Sequence, residues 1–241
     1  MSEVIKIKAW SHSRLSVFEE CPKRAKLAYI DRIKEPDRGP PPKGKKEWAN
    51  DRGTRIHDAA EHFVRGTRPD VIAELAAFSN ELRRARELFQ QGIVEGEQMW
   101  CFNDAWEPIP DSDYKNTWCR IKVDLLVNLT PEYAVLIDYK TGRRYGNEVK
   151  HAEQCQLYQV GAFLRAPKLQ KITTELWYTD QDEMATMTFT RNQGMLFLKN
   201  FNNRGMKITQ AELFPSNPNA FSCRWCPYSP RSQEGLCEEG L

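Results

Sequence analysis

The sequence predicts a mixed α/β fold, and three observations predict it. A helical pattern opens the chain. Two adjacent apolar, β-branched runs lie in its middle, and helices alternate with a second strand pair behind them. Residues 13–31 have helical spacing with Ser13 as N-cap, and Pro22 must break or kink that helix after Cys21. Residues 35–46, rich in Pro, Gly and Lys, read as a basic loop. A helix capped by Thr54 covers residues 54–65, and a longer one covers 70–91 with Leu75, Phe78, Leu82 and Leu88 on its apolar side. Residues 94–103 read as a strand and 104–116 as a loop.

The central runs are residues 121–127 and 133–140, joined by a short polar, Pro-containing connection, so they predict a hairpin. A helix over 148–164 follows. A second hairpin covers 175–179 and 184–190, then a helix 191–206 and a Pro-, Ser- and Cys-rich tail from Phe214. We expect one domain over 1–241. Within it, residues 1–52 form an N-terminal helix and basic loop, 53–190 the core, and 191–241 a helix and Cys-rich tail.

Composition narrows the classes. The chain has 241 residues, 40% of them hydrophobic, with seven Trp and eleven Phe, enough for a substantial core. No run approaches the ~20 apolar residues of a membrane helix, and residues 1–10 lack the apolar stretch of a secretory signal. A cytoplasmic protein without a membrane partner is the expectation, encoded by a bacterium or a phage. Its seven cysteines are then read first as thiols or metal ligands. The net charge is only +2, but residues 1–60 hold 14 Lys/Arg against 9 Asp/Glu, and residues 140–171 hold 7 against 2. Basic charge gathered in two segments suits a polyanionic partner, and it also suits an ordinary solvated surface.

The central hairpin carries the chemistry. Period-two alternation puts Asp138 and Lys140 on one side of their strand, and Asp124 can reach the same side from its neighbour. Two carboxylates ~5 Å apart repel by about 3 kcal/mol at an effective dielectric of 20. Apolar flanks make hydration a poor remedy, so a shared proton or a divalent cation is needed, and oxygen ligands suit Mg²⁺ or Mn²⁺. A Lys beside such a cation equips a site for phosphodiester hydrolysis. D-x-K alone is short, and it reads equally as a solvated ion pair on an edge hairpin.

Gly53-Thr54-Arg55-Ile56-His57, Asp124, Asp138-Tyr139-Lys140 and Gln154-Cys155-Gln156-Leu157-Tyr158 occur in that order. This ordered set resembles the PD-(D/E)xK nuclease superfamily in its RecB-like exonuclease branch, with Val123 where a Pro often precedes the first Asp. The resemblance implies a restriction-endonuclease-like core, a central mixed sheet flanked by helices. It implies that His57, Asp124, Asp138 and the Tyr139 backbone carbonyl hold Mg²⁺ or Mn²⁺, and that Lys140 is the catalytic lysine. It also implies that Gln154 and Tyr158 position DNA. Gln154 and Tyr158, four apart, share a helix face; so do His57 and Glu61, which puts Glu61 in reach of the imidazole.

Cys223-Arg224-Trp225-Cys226 is a C-x-x-C before Pro227, with Cys237 downstream and Cys21-Pro22 near the other end. Together with residues 13–22, this is similar to the iron–sulfur members of that branch. Those include the helicase-linked end-resection nucleases and the CRISPR-associated ones. The resemblance implies that Cys21, Cys223, Cys226 and Cys237 hold a [4Fe–4S] cluster joining the N- and C-terminal segments, although the spacing to Cys237 is longer than usual. Four thiolates on zinc and four free thiols are the alternatives. Cys101, Cys119 and Cys155 read as buried thiols.

Arg52, Arg55, Arg143, Arg144 and Lys150 flank the motifs as candidate phosphate contacts, with Lys43, Lys45 and Lys46 behind them. Trp10, Trp48, Trp100, Trp106 and Trp118 are either core or base-stacking residues. The expected function is a metal-dependent DNA exonuclease acting at DNA ends in processing, recombination or repair, alone or with a recombinase, helicase or single-strand-binding protein. A non-catalytic nucleic-acid-binding protein with a zinc staple and a structure- or site-specific endonuclease are the alternatives.

Overall fold

The structure, a computed structural model, describes residues 6–230 and 235–240. The chain opens with β1 (Trp10–Ser11), α1 (His12–Glu20) and α2 (Pro22–Tyr29). Pro22 starts α2 with its fixed φ, and Cys21 is extended between the two helices, as the Pro predicts. The cap of α1 is Ser11 rather than Ser13: the Ser11 hydroxyl accepts from the Arg14 amide at 3.3 Å. Ser13 bonds the Ser11 hydroxyl instead.

α3 (Ala49–Val64) begins five residues before the expected Thr54 cap, so Gly53 lies inside a helix. A Cβ on Gly53 would stand 3.0 Å from the Thr141 hydroxyl, and this close approach seats α3 against the end of the central strand. The expected helix over 70–91 divides into a 3-10 helix (Ala73–Phe78) and α4 (Ser79–Gln90). The expected strand over 94–103 divides into β2 (Val94–Glu95) and β3 (Gln98–Phe102), and β4 (Pro108–Ile109) lies in the expected loop.

β5 (Cys119–Val123), β6 (Leu125–Thr130) and β7 (Tyr133–Lys140) follow. The expected single strand over 121–127 is therefore two strands, broken at Asp124. Each half joins a different sheet. The four-stranded sheet has order β1-β5-β3-β4. The other has order β2-β6-β7-β8-β9, where β8 (Lys171–Tyr178) runs parallel to β7 after α5 (Glu148–Arg165), and β9 (Glu183–Thr190) closes a hairpin. The expected central sheet is thus two mixed sheets sharing a bent pair of strands. Gln98 pairs with Val123 on one side of the bend and Glu95 with Leu126 on the other. Glu61 caps the bend by accepting the Glu97 amide at 3.0 Å, and Arg65 also bonds it, so it does not hold His57.

α6 (Arg191–Met195), α7 (Leu198–Thr209) and the short α8 (Ala220–Cys223) complete the chain, so the expected helix over 191–206 is two. Among the described residues no helix is long and apolar enough to cross a membrane.

Helices cover both faces of the five-stranded sheet. Leu125, Val127, Ile137 and Tyr139 pack with Ile56 and Phe63 of α3 and Leu82 of α4. Leu126, Ala134 and Leu136 face Leu157, Val160 and Phe163 of α5. Trp10, Trp106 and Trp118 meet edge to face at 5.4–5.9 Å and are buried with Trp100, which makes them core; Trp48 is half-buried. α7 reaches this cluster at Gly205, where a Cβ would stand 2.5 Å from the Trp10 indole nitrogen and 2.6 Å from the Trp118 ring.

Candidate active site

Asp124 sits where the strand changes sheets, and its side chain completes the ladder that the break leaves open. Its Oδ2 accepts the Tyr139 amide at 2.9 Å, and its Oδ1 meets His57 Nδ1 at 3.0 Å. Alternation along β7 puts Ile137 and Tyr139 toward α3, and Leu136 and Asp138 toward α5. Lys140 shares the side of Asp138, as expected. His57 reaches in from α3, its ring edge-on to Tyr139 with centroids 5.6 Å apart.

On the α5 side four groups form a closed ring. Lys140 Nζ donates to Gln154 Oε1 at 2.7 Å; Gln154 Nε2 donates to the Tyr158 hydroxyl at 2.5 Å. Tyr158 donates to Asp138 Oδ1 at 2.6 Å, and Asp138 Oδ2 returns to Lys140 Nζ at 2.5 Å. That last approach is an ion pair outside hydrogen-bonding geometry, so Asp138 Oδ2 remains a buried acceptor with no hydrogen bond. The i, i+4 spacing on α5 brings Gln154 and Tyr158 to one face, as the sequence predicts.

The electrostatics follow from burial. Asp124 is 9% exposed and Asp138 3%. Burial and the Asp138 charge hold the Asp124 carboxyl above the usual range, against the pull of His57 and the Tyr139 amide. Burial opposes a charged His57, but the hydrogen bond and charge of Asp124, with the charge of Asp138, outweigh it and raise its pKa. Burial first, then the nearby acids, pushes the Tyr158 phenol well above its ordinary value, which keeps it a proton donor to Asp138.

The structure brings together His57, Asp124, Asp138, Tyr139, Lys140, Gln154 and Tyr158. The four candidate arginines fall elsewhere. Arg52 is paired with Asp180 through two hydrogen bonds, at 2.6 and 3.1 Å. Arg55 is held by Glu47 at 2.7 Å and Glu74 at 2.6 Å. Arg143 is exposed just after β7, and Arg144 pairs with Glu183 at 2.7 Å.

Cys21, Cys223, Cys226 and Cys237 all line one cavity at the junction of α1 and α2 with the tail. None is in a disulfide. The tail is tied there by backbone: Cys237 donates to the Tyr228 carbonyl at 2.9 Å, and Lys23 to the Pro215 carbonyl at 3.1 Å. Burial, with the neighbouring Cys21 and Cys237, raises the Cys226 thiol. Cys101, Cys119 and Cys155 are buried in the core, as expected, and burial pushes the Cys155 thiol up to about 12. Among the described residues no three His, Cys, Asp or Glu side chains close on one point as a group able to hold a metal ion.

His12 was invisible as a site residue in the sequence. It is 8% exposed, and its pKa is lowered to about 4 by burial and by the charges of Lys150, Lys140 and Arg204. Its signal was a histidine at the start of a helix of otherwise unremarkable pattern.

Two mixed sheets flanked by helices, with an Asp at a strand break and D-x-K on the next strand, define a nuclease-type α/β core. The family model of the PD-(D/E)XK nuclease superfamily matches residues 9–115 and 120–231, and the chain belongs to that superfamily. No curated protein matches the sequence. Among solved structures, the crystal structure of SSO0001 aligns over 100% of this chain and 91% of its own, with 14% identity and a TM-score of 0.46.

Proposed function

We propose that the protein is a Mg²⁺- or Mn²⁺-dependent DNA exonuclease. The observation that carries the reading is the buried Asp124–Asp138 pair, with Asp138 Oδ2 left without a hydrogen bond and Lys140 beside it. Lys140 meets that oxygen only as an ion pair, and two carboxylates buried this deeply repel, so an oxygen-preferring cation is favoured between them. Asp124, Asp138, His57 and the Tyr139 carbonyl would hold the ion. Its binding would release the proton that the His57–Asp124 pair retains.

A divalent cation there supplies Lewis-acid stabilisation of a phosphoryl oxygen and a more acidic water. The chain's own groups do the rest. Tyr158 fixes Asp138 by donating to one oxygen, and the other oxygen stands against the Lys140 ammonium. Gln154 holds the Lys140 ammonium in place, where it offsets negative charge that builds on the phosphate in the transition state. The apolar walls of both cores exclude bulk water and strengthen these interactions.

In the same reading, Cys21, Cys223, Cys226 and Cys237 hold a [4Fe–4S] cluster that staples the chain ends, with zinc as the rival occupant. That all four line one cavity supports a shared ligand, which would have to draw the thiols closer together than they stand. Partners would be DNA with free ends and the recombination or repair proteins that process them.

The test is degradation of end-labelled linear DNA with Mn²⁺ or Mg²⁺, by wild type and Lys140→Ala. Loss of activity in the variant and in EDTA is expected; equal degradation by both proteins overturns the assignment. Cutting of circular DNA would move the reading to an endonuclease. Anaerobically purified protein should contain iron and sulfide; stoichiometric zinc without them overturns the cluster.

A further inference from the structure

One groove outside the carboxylate pair collects more positive charge than its one acid matches: Glu20 is its sole carboxylate among the described residues, and it pairs with Arg24 at 3.4 Å. It is bounded by the start of α1, the β5 strand and the first turns of α5. Arg14, Arg24, Arg120, Lys122 and Lys150 line it. Lys122 is committed to Glu97 at 2.8 Å. Arg14, Arg120 and Lys150 have no carboxylate partner among the described residues.

The two arginines are held in place by neutral groups. Arg14 donates to the Ala9 carbonyl at 3.0 Å and lies over the Tyr29 ring at 4.9 Å. Arg120 lies over the Tyr114 ring at 5.8 Å. Aromatic faces fix a guanidinium without cancelling its charge. Burial and the Arg120 charge both push the Arg14 pKa down, the mark of a cation short of counter-charge. His12 lines the same groove, and its buried Nε2 has no hydrogen-bond partner. An anion in the groove relieves both deficits. The groove also opens beside the site, because Gln154 and Tyr158 line it and Gln154 holds Lys140.

We propose that this groove is a phosphate subsite for the DNA strand being cut. A phosphodiester neighbouring the scissile one sits between Arg14, Arg120 and Lys150, with the neutral imidazole of His12 as a further partner. The inference rests on the nuclease reading of the Asp124–Asp138 pair. Guanidinium and ammonium groups on phosphate position a strand without reading its bases, so the subsite serves any sequence.

Binding tests this apart from cleavage. A fluorescein-labelled single strand of about 12 nucleotides, within usual single-strand site sizes, is titrated with the full chain in EDTA and followed by anisotropy. Arg120→Gln/Lys150→Gln should bind about tenfold or more weakly. Its log Kd against log salt slope should fall by about 1.4, or 0.7 for each phosphate no longer neutralised. Arg83→Gln/Arg84→Gln on the exposed side of α4 removes the same charge and should leave both unchanged. Lys150→Gln alone, an exposed position that folding does not need, should produce about half the slope change. A single neutral methylphosphonate linkage is then walked along the strand: one position should weaken wild type and leave the double variant unaffected. Wild-type affinity and slope in the double variant, or a neutral linkage that costs both proteins equally everywhere, overturns the subsite. Cleavage by wild type with Mn²⁺ is scored separately. Its absence alongside the weakened binding sinks the nuclease reading and leaves a nucleic-acid groove.

Discussion

Asp124 takes the place of a backbone carbonyl in the sheet: its Oδ2 accepts the Tyr139 amide at 2.9 Å, where the strand leaves one sheet for the other. The same carboxylate is therefore structural and chemical. Asp124→Asn separates the two roles, because the amide oxygen still accepts from Tyr139 while the charge is gone. Burial holds the Asp124 carboxyl above its usual range, so charge at this position costs stability at neutral pH. The variant should melt at or above the wild-type temperature and lose at least about 100-fold in DNA cleavage, since it cannot supply a charged ligand. A lower Tm with retained cleavage would refute both halves.

The ring that links Lys140, Gln154, Tyr158 and Asp138 is closed on all four sides, so its members act as a unit. Tyr158→Phe removes the donor to Asp138 and leaves Gln154 Nε2 without its acceptor. Cleavage should fall about 10–100-fold, the usual cost of losing a group that orients a ligand. Gln154→Ala should cost a similar factor. The double variant should fall well short of the product of the two, because either change opens the same ring. Multiplicative losses would show two independent contributions.

The sequence made the chemistry legible at Asp138 and Lys140, because strand alternation is a local rule, and at Gln154 and Tyr158, because helix spacing is one too. It did not disclose the break at Asp124. Residues 121–127 read as one strand-forming run, apolar apart from Lys122 and Asp124, and only the pairing of Gln98 with Val123 and Glu95 with Leu126 shows that the ladder changes sheets there. The same limit hid the partners of Arg52 and Arg55, whose acids lie as far as 128 residues away in sequence. His12 escaped for a related reason: its meaning comes from Lys140, Lys150 and Arg204, which tertiary folding brings near it.

Gly205 permits the approach of α7 to the tryptophan cluster. Ala would place a methyl 2.5–2.7 Å from atoms of two buried indoles, Trp10 and Trp118. Neither ring can swing aside, since both pack edge-on against Trp106. Gly205→Ala should destabilise by about 1–3 kcal/mol, as overpacked cores do, read as a lower urea midpoint with an unchanged m-value. Gly142→Ala is the control, because nothing lies within 4 Å of its added Cβ. Equal midpoints for the two variants would mean that α7 adjusts freely.

His12 should make stability depend on pH in the acid range. Burial, then the charges of Lys150, Lys140 and Arg204, lower its pKa from 6.5 to about 4, while the Asp138 charge opposes them weakly. The unfolded chain takes up this proton near pH 6.5, and the folded chain resists until about pH 4. Unfolded protein therefore binds more protons between these values, and stability rises with pH across the window. The contribution is complete above pH 6.5 and drains away as pH falls toward 4, by roughly 3 kcal/mol at most. His12→Gln has no proton to gain. Urea denaturation at about pH 7 and about pH 4.5, on either side of most of that window, should give a smaller loss of stability for His12→Gln than for wild type. Equal losses would show that the imidazole reaches solvent and titrates as it does in the unfolded chain.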